Sequence, residues 1–325
     1  MKALVCNEFA PYADHKVIEV DAPEIKPGHV RLKIHAAGVN FPDILMVQGQ
    51  YQVKPPFPFI AGAECAGEIT ELGDGVKHLK VGQRVAALPG VGCFAEEAVV
   101  PAQICVPISD KMSYEEAAGF VMVYATSHHS LKDRSDLKPG ETLLVLGAAG
   151  GVGLTAVELG KRMGATVIAA ASTQEKLDIC KEYGADHGIL YDEEDLKARV
   201  RELTDGKGAD VCYDPVGDKY AEPALRSLAW GGRYLVIGFA AGQIPKVAFN
   251  WMLLKELDVR GIHWGAWIPK NPKGHMENMG ELMTMYEKGE IKPRVSGSHK
   301  LESFADAMTA LTERRVMGKV VLTMD

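Results

Sequence analysis

The sequence predicts an α/β protein in which a partly open β-barrel precedes a doubly wound parallel sheet. Up to about residue 120, many short, nearly alternating runs are separated by Gly/Pro turns. Beyond Pro139-Gly140, short apolar runs alternate with helix-compatible stretches through brief connections. The third observation is the stretch 143–153, L-L-V-L-G-A-A-G-G-V-G, where an apolar run meets a glycine cluster and helical sequence follows. That is the pattern of a buried strand turning sharply into a helix. The helix N-terminus then offers free N–H groups and partial positive charge to a phosphate.

Composition sets the bounds. The 325 residues are enough for about two domains. The apolar content of 47% and charged content of 24% are those of an ordinary soluble globular chain. A net charge of −7 argues against nucleic acid or an anionic membrane as the main partner. No apolar run reaches transmembrane length, and residues 1–6 read as a strand rather than a signal sequence. The six scattered cysteines, with no C-x-x-C, suggest neither a disulfide framework nor a structural zinc lobe, and point to a reducing cytoplasm.

In order along the barrel half, strands are expected at 17–20, 30–34, 68–72, 82–87 and 94–100, with Pro55-Pro56-Phe57-Pro58-Phe59 as a fixed extended loop. Ser113 and Glu116 form a capping-box pattern ahead of one or two helices over 117–131. After the strand 143–146 and helix 154–163, strands at 166–171, 187–190, 209–213 and 232–237 alternate with helices at 174–183, 193–203 and 219–228. Residues 257–262 suggest one more strand, at an edge. Helices at 274–288 and 301–314 and a strand at 318–323 close the chain.

In the glycine turn, Gly150 lets backbone approach a pyrophosphate and Gly153 lets the helix pack close, while Gly151 and Val152 lie between them. Ala148 stands where the first glycine of G-x-G-x-x-G would be. An NAD site carries Asp or Glu at the tip of the second strand. Here Ala170-Ala171-Ser172-Thr173 has no carboxylate, and Ser172 and Lys176 offer a hydroxyl and an ammonium. That favours NADP(H). The plainer reading makes Ser172 an N-cap and Lys176 a solvated lysine. Two further strand tips, Asp214-Pro215-Val216-Gly217 and Gly238-Phe239-Ala240-Ala241-Gly242, are small enough for a flat cofactor to lie on, or are plain turns. His128-His129 read as core or surface histidines rather than metal ligands.

Taken together, Ala37-Gly38-Val39-Asn40-Phe41-Pro42-Asp43, Gly49-Gln50-Tyr51 and Pro58-Phe59-Ile60-Ala61-Gly62-Ala63-Glu64 resemble the medium-chain dehydrogenase/reductase superfamily. The stretches 148–153 and 171–177 and Gly318-Lys319-Val320-Val321-Leu322 continue the match, which is nearest the zinc-independent, ζ-crystallin-like quinone oxidoreductases. The resemblance implies a GroES-like catalytic domain, residues 1–122 and 257–325, interrupted by a Rossmann NADP(H)-binding domain at 123–256. Zinc-dependent members carry cysteine where this chain has Asn40 and histidine where it has Ala63, and their third ligand falls near Met122. Those three cannot bind zinc.

Without a Lewis acid, a simple ketone is a poor acceptor, whereas quinones and α,β-unsaturated carbonyls delocalise the incoming charge themselves. The implied activity is hydride transfer from NADPH to a small quinone, enone or enal. The alternatives are an enoyl- or acryloyl-thioester (CoA) reductase and a non-catalytic NADPH-binding protein. The resemblance places Asn40 and Tyr51 beside the nicotinamide as hydrogen-bond donors, Thr126 against it, Tyr191 at the adenosine phosphate and Lys319 near the cofactor. Asn40 as a turn residue, Tyr51 as a half-buried aromatic, Thr126 as a helix threonine bonded to its own backbone and Lys319 as a solvated lysine are the plainer alternatives. The edge strand pairs across a dimer in relatives, so a homodimer is expected.

Overall fold

A computed structural model describes residues 1–324. The chain forms two compact units, one made of Met1–Met122 with the segment from Met283 onward, the other of Val123–Leu282.

The first unit begins with strands β1 (Lys2–Cys6), β2 (Lys16–Glu19) and β3 (His29–Val39), then helix α1 (Phe41–Val47). Strands β4 (Phe59–Ile60), β5 (Glu64–Leu72), β6 (Arg84–Ala87), β7 (Glu97–Pro101) and β8 (Cys105–Pro107) follow, then helix α2 (Tyr114–Ala118). The capping box is formed as read: Ser113 N–H donates to Glu116 Oε2 (2.9 Å) and Glu116 N–H to Ser113 Oγ (3.1 Å). Helix α3 (Val121–His128) carries the chain into the second unit and continues as a π-helix over His129–Arg134.

The second unit alternates strictly. Strand β9 (Thr142–Leu146) leads to helix α4 (Gly151–Arg162), β10 (Thr166–Ala171) to α5 (Gln174–Glu182), β11 (His187–Leu190) to α6 (Leu196–Leu203) and β12 (Ala209–Asp214) to α7 (Ala221–Ser227). Strand β13 (Leu228–Val236), helix α8 (Asn250–Lys255) and strand β14 (Asp258–Gly261) complete a parallel sheet of order β11-β10-β9-β12-β13-β14. The order reverses at β9, so the crevice at the carboxyl ends of β9 and β12 is where such a sheet takes ligand. All-apolar strands such as β10, buried from Val167 to Ala171, are what helices on both faces demand.

Helices α9 (Trp264–Trp267) and α10 (Pro272–Glu287) lead back, and β15 (Val295–Lys300), α11 (Phe304–Thr312) and β16 (Lys319–Thr323) return to the first unit. There the strand path β15-β16-β3-β5-β6-β8, with β7 beside β3, leaves its two ends unpaired, an open barrel. The return falls at Met283 rather than residue 257. The physical reason is that β14 pairs in parallel with β13, from Arg233 with Asp258 to Val236 with Gly261. The segment after it is also held: His129 lies against the Trp267 ring (4.2 Å), and Lys132 donates to Glu281 (2.6 Å). His129 is paired with Asp133 Oδ2 (2.8 Å) and His128 with Glu281 Oε2 (3.2 Å), so both histidines belong to this interior polar network.

Candidate functional site

In the second unit the glycine turn joins β9 to α4. Gly147 adopts φ +54°, and a Cβ there would lie 2.8 Å from Val216 Cγ2. A Cβ at Gly153 would lie 2.2 Å from the Gly147 carbonyl oxygen and 2.9 Å from Ala148 Cα, so α4 packs on the turn only with glycine there. Gly150 is the N-cap in extended conformation, and the ladder of α4 begins with Leu154 N–H on its carbonyl (2.8 Å). The N–H groups of Gly151, Val152 and Gly153 therefore point along the axis from the positive end of a twelve-residue helix, a phosphate-binding arrangement.

The sheet order brings the other candidates to this turn. On one side Ala148 N–H donates to Ala170 and Tyr191 N–H to Ala171, tying the ends of β9, β10 and β11 together. Ser172 follows β10, and Lys176 Nζ donates to its hydroxyl at 3.0 Å. The N-cap of α5 is Thr173, whose side chain accepts from Lys176 N–H. Ser172 is thus free of capping duty, and its hydroxyl and the Lys176 ammonium stand together. Tyr191 packs its ring on Tyr220 (4.4 Å).

On the other side Asp214 Oδ1 accepts from the N–H groups of Val216 (2.7 Å) and Gly217 (2.9 Å), while Tyr234 donates to Oδ2. Burial pushes the Asp214 carboxyl up against these donors. Gly217 has φ +70°, and a Cβ there would meet Phe239 Cδ1 at 2.9 Å. Ala241 N–H donates to Val216, so the β12 and β13 tips form one small-residue floor. Thr126 is the half-exposed residue between buried Ala125 and Ser127, and its carbonyl accepts from Ser130 Oγ (2.6 Å). Sequence reasoning missed the polar knot that fixes it. Ser127 Oγ lies 2.9 Å from the Val152 carbonyl oxygen, 2.8 Å from Thr155 Oγ1 and 2.9 Å from Tyr213 Oη. It locks α3 to the turn.

In the first unit, the end of β3 organises a second group. Gly38 pairs with Glu64 on β5 and Val39 with Val320 on β16. Three chain segments therefore meet where β3 passes into α1. Lys319 Nζ donates to Asn40 Oδ1 (2.6 Å), Glu64 Oε1 (2.9 Å) and the Val39 carbonyl (3.1 Å). Asn40 Nδ2 donates to Glu64 Oε1 (2.9 Å) and the Gly38 carbonyl (3.3 Å), and Met122 N–H donates to Glu64 Oε2 (2.9 Å). The Lys319 and Glu64 side chains are 6% and 1% exposed. Asn40 N–H donates to Asp43 Oδ2 (2.8 Å), and Pro42 pre-sets the first turn of α1.

This placement bears on two expectations. Both Asn40 amide hydrogens are spent on Glu64 and Gly38, so Asn40 holds the network together rather than offering a free donor. Lys319, expected near the cofactor, is a buried partner of Asn40 and Glu64 within the first unit. Tyr51 is half-buried on the same core, and its phenol is raised by burial and then by the Asp43 charge. Asp43 and Glu64 are the functional candidates the sequence reading passed over. Their signal was the N-cap-to-N3 spacing of Asn40 and Asp43 and the carboxylate in Gly62-Ala63-Glu64.

A metal does not fit this group. The Lys319 ammonium already stands among the oxygens of Asn40, Val39 and Glu64 that a cation would need. Among the described residues no three His, Cys, Asp or Glu side chains are gathered to hold an ion. No helix among them is long and apolar enough to cross a membrane.

Two family models match: "Alcohol dehydrogenase GroES-like domain" over residues 26–110 and "Zinc-binding dehydrogenase" over residues 151–283. The chain is 36% identical, over 325 residues, to a quinone oxidoreductase-like protein 2 homolog of Nematostella vectensis, covering 99% of this chain and 88% of that protein. It superposes on Escherichia coli quinone oxidoreductase complexed with NADPH with a TM-score of 0.93 and 27% identity, covering 100% of both chains. A mycobacterial protein, also complexed with NADPH, gives a TM-score of 0.94 at 30% identity, again covering 100% of both chains.

Proposed function

This chain belongs to the medium-chain dehydrogenase/reductase superfamily, in its quinone-oxidoreductase-like branch, and on that footing we propose that it is an NADPH-dependent reductase of quinones or α,β-unsaturated carbonyls that works without catalytic zinc. The observation that carries this reading is the Lys319 ammonium seated among Asn40, Val39 and Glu64. An ammonium committed to those oxygens stands where a metal would need them and leaves no Lewis acid at the site, so the acceptor must delocalise the incoming charge itself.

The second unit fits NADPH. The N–H groups of Gly151, Val152 and Gly153 take the pyrophosphate, and Ser172 with Lys176 takes the 2′-phosphate. The floor of Gly217, Phe239 and Ala241, with Thr126 and Tyr191, holds the rest. NADPH, when bound, supplies the hydride. Tyr51, whose raised phenol stays protonated at neutral pH, gives the proton to the acceptor oxygen, and Asn40 keeps the network around it fixed.

NADPH oxidation, followed by absorbance against quinones, enones, enals and enoyl thioesters, tests the reading. Turnover with quinones or enones and no bound zinc is expected. Tight NADPH binding without turnover overturns it in favour of a binding protein, and turnover confined to thioesters in favour of a CoA-ester reductase. In the same assay Lys176→Ala should weaken NADPH about tenfold to a hundredfold and leave NADH unchanged, by loss of one charge-assisted contact.

The partner reading is a homodimer. Strand β14 is hydrogen-bonded on one side only, and its Val259 is 45% exposed. Antiparallel pairing of two copies about Val259 fills the open edge and sets Asp258 opposite Arg260 twice over, so the pair each copy forms within its own strand (2.6 Å) can be exchanged between copies. Val259→Pro should convert dimer to monomer in sedimentation velocity. Six unpaired cysteines suit a reducing compartment, the cytoplasm.

A further inference from the structure

Among the described residues of the first unit, two carboxylates are buried, Asp43 and Glu64, and only Glu64 is ion-paired. Lys319 is committed to Glu64, Asn40 and the Val39 carbonyl. Asp43, 1% exposed, accepts Asn40 N–H on Oδ2, is favoured further by the neutral Ala63 N–H, and its Oδ1 is left without a hydrogen bond. Two carboxyl groups thus share a sealed site with one ammonium. A second full negative charge there costs far more than on the surface.

The groups facing Asp43 come from every element around it. Lys319 on β16 favours its ionised form and Glu64 on β5 opposes it, while the N–H groups of Asn40 and Ala63 favour it. The Cys93 thiol, in the loop after β6 and hydrogen-bonded to the Cys65 thiol, lies within reach of the same charge, and so does the Tyr51 phenol beyond α1. Desolvation outweighs the rest, and the Asp43 carboxyl is pushed up to about 7.

We propose that Asp43 is a positioning residue whose single proton sets the charge of the Asn40–Glu64–Lys319 network beside Tyr51, and so the ease of building negative charge on the acceptor oxygen. The proposal rests on the reading of Asn40 and Tyr51 as the acceptor's neighbours. With Asp43 protonated, Lys319 balances Glu64 and the network is neutral. With Asp43 ionised, the network carries one net negative charge and opposes the oxyanion that hydride transfer creates. Asp43 takes its proton from solvent and returns it there. The proton consumed in turnover comes from Tyr51.

Asp43→Asn is the matched variant. Its amide oxygen can still accept Asn40 N–H, and the site is permanently neutral. With NADPH and a quinone, wild-type kcat should fall about tenfold between roughly pH 6 and pH 8.5 while KM changes little, and the variant's kcat should stay flat. Identical profiles overturn the proposal. A second readout needs no activity. The infrared difference spectrum of wild type minus variant should show a protonated carboxyl band that disappears as pH rises through about 7.

The linkage has a definite sign. A carboxyl whose pKa is raised by folding stabilises the fold while protonated and loses that contribution from about pH 4 up to its folded value. Wild type should therefore lose melting temperature relative to the variant over that range. A missing carboxyl band at pH 6 overturns the proposal even where turnover is found. Absence of turnover with every acceptor instead removes the reading of function beneath it.

Discussion

Replacing Lys319 by methionine is expected to destabilise the first unit by about 3–5 kcal/mol, the cost of leaving one partner of a buried ion pair alone. Methionine keeps most of the stem that packs near Gly119, so the loss is electrostatic rather than a cavity. Three hydrogen bonds disappear together, to Asn40, Glu64 and the Val39 carbonyl. Glu64 then holds its charge, 1% exposed, with only neutral donors from Asn40 and Met122. Chemical denaturation followed by fluorescence measures the loss. The double variant Lys319→Met/Glu64→Gln separates causes, because glutamine still accepts Met122 N–H and carries no charge. It should regain roughly half the loss or more, since an isosteric neutral pair removes the desolvation penalty along with the attraction. A double variant as unstable as the single one would show that the hydrogen bonds, and not the orphaned carboxylate, hold the three strands together.

What makes that network strong is also what hid it from sequence reading. Glu64 and Lys319 are 255 residues apart, and only the pairing of β3 with both β5 and β16 brings them together. The glycine turn was readable because strand, turn and helix are contiguous, and the physics that demands Gly153 acts over six residues. That Ser172 and Lys176 stand together was readable for the same reason, being one helical turn apart. Strand β15, V-S-G-S-H-K, escaped because its side chains alternate between half-buried and exposed with no apolar signal beyond Val295. Helix α1 escaped because Asn40-Phe41-Pro42-Asp43 looks like a turn until Asp43 is seen to cap it. The second domain boundary was set too early because an edge strand in sequence resembles a departure from the sheet, whereas β14 is its sixth member. Hydrogen counting at Asn40 was likewise out of reach of the sequence: an amide has two N–H bonds, and Glu64 and Gly38 take both.

Gly153→Ala is expected to abolish NADPH binding in practice, weakening it about a hundredfold or more, and to lower the stability of the second unit as well. The added methyl would sit 2.2 Å from the Gly147 carbonyl oxygen and 2.9 Å from Ala148 Cα. Both are backbone atoms of a turn fixed by Ala148 N–H on Ala170 (3.1 Å) and Gly150 N–H on Gly147 (2.9 Å), so neither can yield. Relief requires α4 to move off β9 by about 1 Å, a displacement that costs roughly 10²-fold where groups must meet a ligand squarely. The move also strains the bond from Ser127 Oγ to Val152 and the contact of Gly160 with Leu143. Gly150→Ala is the discriminating control. Its φ of −74° suits alanine, and its methyl meets nothing closer than 3.3 Å. That variant should melt like wild type and still bind NADPH poorly, because the methyl stands where a pyrophosphate approaches the backbone. Calorimetric titration with NADPH, run beside thermal unfolding, separates the two glycines. If Gly150→Ala binds NADPH as tightly as wild type, the pyrophosphate does not lie over this turn.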